Sequence, residues 1–222
     1  KKRGIAPIFL SNNSSRSVKQ YVEKLNGMGI DAGEKDVLLS THDCMRWLQQ
    51  RGWLRIHCFG TEGMISMMEE AGFECATENV DCVVVGYHTE LVYSELQQVT
   101  ELLHKGVPLV ATHPDIVCPS PTGGLPDVGS MLVMFEAATG ITPTIVTGKP
   151  RPEMILERLK VEGVDPSNVA MIGDRIYTDI AMARAANVHS ILVLSGEATK
   201  DDLKNSKIQP TLVVDSVDVL LR

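Results

Sequence analysis

Along its 222 residues the chain alternates short, continuously apolar runs with longer stretches whose apolar positions recur at helical spacing. Strands are expected at Ile5–Leu10, Val37–Ser40, Leu54–Phe59, Asp81–Val85, Pro108–Ala111, Thr144–Val146, Val169–Ile172, Ser190–Leu194 and Thr211–Val214. Between them the spacing predicts helices at Ser17–Gly27, through Met45, Leu48 and Gln49, and at Glu62–Ala71, Ser94–Leu103, Ser130–Thr139, Pro152–Glu162, Asp179–Ala186 and Lys200–Lys204. Strands that are apolar throughout and separated by helices indicate parallel sheets covered on both faces, hence an α/β fold. Met64, Met67 and Met68 fall at helical spacing and are read as packing. Pro114–Gly129 is too long and irregular for a plain connection, and loops of that size are usually functional. Lys1–Gly4, basic residues followed by glycine, reads as a helix's last turn and cap, or equally as a basic tail.

Composition narrows the function. No apolar run approaches the roughly 18 residues that span a bilayer. A formal net charge of -7 argues against a broad nucleic-acid surface and requires a local positive device for any anionic substrate. The five cysteines (Cys44, Cys58, Cys75, Cys82, Cys118) are odd in number and form no C-x-x-C, so they read as small core residues in a reducing, cytoplasmic compartment. The six histidines show no metal-ligand spacing, and His113 receives no role although it borders the irregular segment.

Polar groups gather at three strand ends, where open α/β sheets bind ligands. Ile8–Leu10 runs into Ser11-Asn12-Asn13-Ser14-Ser15-Arg16-Ser17, a hydroxyl and successive N–H groups ahead of a helix, suited to an anion. The same residues also suit a simple N-cap by Ser14, Ser15 or Ser17. Val146-Thr147-Gly148-Lys149-Pro150 sets one ammonium on a constrained turn. Met171-Ile172-Gly173-Asp174 ends a strand in a carboxylate, and Asp179 follows five residues later. Such a pair suits Mg²⁺, which takes one or two carboxylates together with phosphate oxygens and water; Asp179 alone would also serve as a helix start. Jointly, Asp174 and Asp179 would hold Mg²⁺, Ser11 and nearby amides would hold phosphate oxygens, and Lys149 would supply positive charge. Opposite unit charges about 4 Å apart attract by about 4 kcal/mol at an effective dielectric near 20.

At these residues the chain resembles the haloacid dehalogenase-like hydrolases, in the subfamily of NagD, p-nitrophenyl phosphatases and phosphoglycolate/pyridoxal phosphatases. Leu10–Arg16 is similar to the family's second motif, Gly148-Lys149-Pro150 to its third, and Gly173-Asp174-Arg175 with Thr178-Asp179-Ile180 to its fourth. Ala111-Thr112-His113-Pro114-Asp115 and Val128-Gly129-Ser130 resemble its cap signature. The resemblance implies a Rossmann-like core at about 1–53 and 144–222, with an α/β cap at about 54–143. Trp47 and Trp53 would pack near the junction. It also implies Mg²⁺-dependent hydrolysis of a small phosphorylated metabolite through an aspartyl-phosphate, and pairing of copies through the cap. Ser11 would bind a phosphate oxygen, Asn12 and Asn13 would line the pocket, and Lys149 would stabilise nucleophile and phosphate. Asp174 would ligate Mg²⁺ with Asp179 in support, and Asp115 and Cys118 would sit where the specificity loop enters.

Two departures stand out. The family's first motif, D-x-D-G-T, does not occur in these residues, so the nucleophile and acid/base are expected upstream of Lys1. Asp127 stands where relatives commonly have glycine, which puts the loop's geometry in question. The competing reading is a non-catalytic phosphate-binding or regulatory protein; a receiver-like domain fits less well because of the insertion between motifs.

Overall fold

A computed structural model describes residues 4–221, which divide into two compact units between Gly148 and Lys149. Lys1–Arg3 of the proposed helix end lie outside the described residues, while Gly4 has φ +72°.

In the first unit, β1 (Phe9–Ser11) leads to α1 (Val18–Gly27), then β2 (Val37–Leu39) and α2 (Ser40–Gln49). β3 (Arg55–Phe59), α3 (Glu62–Glu70), β4 (Glu74–Cys75), β5 (Cys82–Val85), α4 (Tyr93–His104) and β6 (Leu109–Ala111) follow. Then come β7 (Val117–Cys118), β8 (Leu125–Pro126), α5 (Val128–Thr139) and β9 (Ile145–Val146). β1 pairs in parallel with β2, and a parallel sheet of five runs in the order β4-β3-β5-β6-β9. The alternation of side chains along its strands divides the core. Val83 and Val85 of β5 join Phe59, Leu109, Val128 and Phe135 on the α4–α5 face. Cys82 and Val84 join Ile56, Met64, Met68, Trp47 and Val110 on the α2–α3 face. With both faces covered, the strands read as unbroken apolar runs.

The irregular segment resolves into an antiparallel hairpin, β7–β8, closed at its base where Gly129 N–H donates to Asp115 O at 2.8 Å. The methionines at 64, 67 and 68 are buried, and Trp47 and Trp53 meet edge-to-face at 5.6 Å. The first strand is shorter than its apolar run: only Phe9–Ser11 finds a ladder partner among the described residues. Ser17, not Ser14 or Ser15, caps α1, in a reciprocal pair with Gln20.

The second unit holds α6 (Glu153–Glu162), β10 (Ala170–Gly173), α7 (Ala181–Ala185), β11 (His189–Val193), α8 (Lys200–Asn205) and β12 (Leu212–Val214). Its strands form a parallel sheet in that order. The helix expected from Asp179 is not uniform. Ile176–Ile180 is a π-turn, with Ile180 N–H reaching back five residues to Arg175 O, and α7 begins only at Ala181. π-turns of this kind are frequent at functional sites. Ile172 remains 45% exposed, so β10 is not covered on both faces as its apolar run predicts. No helix of the described residues is long and apolar enough to cross a membrane.

Candidate active site

The first unit gathers polar groups at the carboxyl ends of its strands, around the loop Ser11–Ser17. Four strand ends hold that loop. Ser40, just after β2, donates its hydroxyl to Asn12 O at 2.7 Å. Thr61, after β3, donates to Ser15 O at 2.7 Å. After β5, Tyr87 N–H donates to Ser14 Oγ at 2.8 Å, and after β6 the Thr112 hydroxyl lies 3.0 Å from Ser14 Oγ. Sheet order reverses between β3 and β5, so the loop lies over a switch point, where such sheets bind ligands.

Within the loop, Ser11 Oγ accepts from Asn13 N–H at 3.1 Å, and Asn13 Oδ1 accepts from both Ser15 N–H and Ser15 Oγ–H. The expected row of open amides is therefore partly occupied by the loop's own oxygens, which stiffens it. Asn12 is buried and its Nδ2 donates to the Asp115 carboxylate at 3.2 and 3.3 Å. Cys118, on β7, directs its thiol to Pro119 O at 3.9 Å, and burial pushes the pKa of the Tyr87 phenol up to about 12. Gly148 donates its N–H to Asp43 Oδ2 at 3.0 Å, and Asp43 also pairs with Arg46. Only glycine fits at 148: φ is +73°, and a Cβ would lie 2.7 Å from Thr112 O.

In the second unit Lys149 Nζ lies 2.7 Å from Asp179 Oδ1, with the two side chains only 13% and 6% exposed. The other Asp179 oxygen accepts from Arg175 N–H at 3.1 Å, across the π-turn. Asp174 Oδ2 accepts from Glu197 N–H at 2.9 Å, and Asp174 O from Ala198 N–H at 3.0 Å. The Glu197 carboxylate is itself held between Arg175 Nε at 2.6 Å and the Tyr177 hydroxyl at 2.8 Å. Gly173 is required beside this pair, because a Cβ there would lie 2.5 Å from Asp179 Oδ2. Asp174 Oδ1 carries no hydrogen bond among the described residues, leaving a hard carboxylate oxygen of the kind Mg²⁺ prefers.

Of the residues expected from sequence, Ser11, Asn12, Asn13, Asp115 and Cys118 belong to the first unit, and Lys149, Asp174 and Asp179 to the second. The structure joins Asn12 to Asp115 and Lys149 to Asp179. Sequence reasoning overlooked Asp43, Ser40 and Thr61, and gave no role to Thr112, His113 or Asp127. A signal for the hydroxyls was present: a Ser or Thr follows within two residues of the apolar runs ending at Leu39, Phe59, Ala111 and Val146. The described residues also hold His113, Asp115 and Asp127 with ligand atoms within 4.8 Å of one another, a group capable of holding a cation.

Two family models match the chain: "Haloacid dehalogenase-like hydrolase" over residues 1–74 and "HAD-hydrolase-like" over 146–220. The acid sugar phosphatase of Staphylococcus aureus (strain MRSA252) is 31% identical over 211 residues, covering 94% of this chain and 81% of that protein. The solved structure of a 4-nitrophenylphosphatase from Thermotoga maritima superposes with a TM-score of 0.91 at 38% identity, covering 96% of this chain and 82% of that one. A glycerol phosphate phosphatase from Mycobacterium tuberculosis, solved in complex with calcium, gives 0.89 at 28% identity, covering 95% of this chain and 64% of that one.

The chain thus belongs to the haloacid dehalogenase-like hydrolases. Within that family it is of the NagD/p-nitrophenyl phosphatase type and is a phosphoric monoester hydrolase.

Proposed function

We propose that the chain hydrolyses small phosphomonoesters with Mg²⁺ as its cation, through an aspartyl-phosphate whose attacking carboxylate is not among these 222 residues. Relatives named acid sugar phosphatase, 4-nitrophenylphosphatase and glycerol phosphate phosphatase support a small organic phosphate as substrate. One observation carries the reading: the buried Lys149 ammonium is fixed at 2.7 Å by Asp179 at a strand end that also presents Asp174.

Each residue has a definable task. Ser11, on a loop fastened at four strand ends, presents a hydroxyl to a phosphate oxygen, with Asn12 and Asn13 shaping the surroundings. Lys149 offsets the charge that grows on the phosphoryl oxygens; Asp179 holds it in one rotamer, so little reorganisation is needed during reaction. Asp174 would hold Mg²⁺ through its open oxygen, with Asp179 in support; the bound ion would neutralise the substrate's dianion. Asp115 and Cys118, at the β7–β8 hairpin, contribute to substrate choice. The family models match residues 1–74 and 146–220, which supports a catalytic core at 1–53 and 144–222 with an inserted cap at 54–143. Five free cysteines support a reducing, cytoplasmic setting.

A panel of phosphomonoesters, assayed with the product of the complete reading frame, tests the proposal. Phosphate release that depends on Mg²⁺ is the expected outcome. Saturable binding of the esters without release in the presence of Mg²⁺ would favour the phosphate-binding protein instead.

A further inference from the structure

His113 is fully buried and engaged on both ring nitrogens. Nε2 lies 2.9 Å from Asp127 Oδ1, and Nδ1 lies 3.0 Å from Thr112 Oγ1. Asp127 Oδ1 also accepts from Val128 N–H at 2.7 Å, which makes Asp127 the cap of α5. Beyond Thr112 the contacts continue to Ser14 Oγ and from there to Tyr87 N–H. Tyr87 N–H and the Thr112 hydroxyl both donate to Ser14 Oγ, the Thr112 oxygen meets the imidazole at Nδ1, and Nε2 meets the Asp127 carboxylate. A buried chain of hydrogen bonds favours one arrangement of the elements it joins.

The elements it joins are the hairpin and the phosphate loop. Asp127 stands at the hairpin's exit, where the chain turns into α5, and Ser14 sits in the middle of Ser11–Ser17. The hairpin's entry is tied to the same loop by Asn12 and Asp115. Both feet of the hairpin are therefore referenced to the residues expected to hold the phosphoryl group. Asp127, the departure from the subfamily's pattern in this loop, has a partner in His113.

We propose that His113 is a positioning residue for substrate selection: through Asp127 and Thr112 it sets the β7–β8 hairpin at a fixed place relative to the phosphate loop. The inference rests on the phosphatase reading above. Loss of the link should loosen recognition of the organic part of a substrate and leave recognition of the phosphoryl group in place.

His113→Phe keeps a planar ring and removes both hydrogen bonds. With the product of the complete reading frame, KM for glucose 6-phosphate or glycerol 3-phosphate, whichever the parent prefers, is expected to rise about tenfold or more. The kcat, and the inhibition constant of inorganic phosphate, should stay within about threefold. His113→Gln, whose amide can still reach Asp127, should recover most of the loss. Should the Phe variant fail to fold, Asp127→Ser carries the same test, since serine keeps the α5 cap but is too short for His113. Equal changes in KM for every ester and in the phosphate inhibition constant would overturn the proposal, as would unchanged selectivity. A parent that hydrolyses no ester would instead overturn the phosphatase reading, and this inference with it.

Discussion

Replacing Asp174 by asparagine is expected to reduce Mg²⁺-dependent turnover to background while the fold persists. The change is nearly isosteric and keeps an oxygen for the Glu197 N–H bond at 2.9 Å, so the Gly196–Ala198 turn retains its anchor. What disappears is the anionic charge on the oxygen that carries no hydrogen bond among the described residues, and with it the attraction for a hard dication. Binding supplies a readout separate from activity. A ligand at about 100 times its Kd stabilises the state it binds by about 2.7 kcal/mol, so Mg²⁺ should raise the parent's Tm measurably. The variant should unfold near the parent's metal-free Tm and gain nothing from Mg²⁺. A variant that kept both its Mg²⁺-induced Tm shift and its turnover would remove Asp174 from the metal site.

Lys149→Met carries the second large effect, in two parts. Removing one preorganised group that stabilises transition-state charge typically costs about 10²–10³ in kcat. It also strands Asp179, whose side chain is 6% exposed, without its cation. Breaking a buried ion pair from one side costs about 3–5 kcal/mol, here eased by the Arg175 N–H that Asp179 retains. The two parts separate in the double variant Lys149→Met with Asp179→Asn. Stability measured by urea unfolding should largely return, because no buried charge is left unpaired, whereas turnover should not. Recovery of turnover along with stability would mean that Lys149 serves the fold alone. A change confined to KM would mean that it binds ground state and transition state equally.

Most elements were legible because burial leaves its mark on sequence. The all-apolar strands Cys82–Val85 and Leu109–Ala111 can lie only between covered faces, and the spacing of Val18, Tyr21, Val22 and Leu25 fits one side of α1. The two-residue edge strand β4 was invisible, since Glu74–Cys75 is too short to show any period. The π-turn was also hidden: Ile176–Ile180 differs from an ordinary helical turn by one hydrogen-bond register, a difference no side-chain periodicity records. Among the candidate site residues, Lys149 and Asp174 stood out as charged residues just past apolar runs, and Asp179 as a second carboxylate close behind Asp174. Thr112, His113 and Asp127 did not, because their meaning lies in which strand ends become neighbours. Placing Ser14 beside Tyr87 and Thr112 requires the order β3-β5-β6, and nothing local in the chain encodes that order.

In the proposed reaction Ser11 and Lys149 serve the same phosphoryl group. A double-mutant cycle measures this directly, using kcat/KM for p-nitrophenyl phosphate with the parent, Ser11→Ala, Lys149→Met and the double variant. Groups that act as a unit give grossly non-additive losses, so the double variant should be scarcely slower than Lys149→Met alone. Losses that multiply, as for two independent sites, would contradict it.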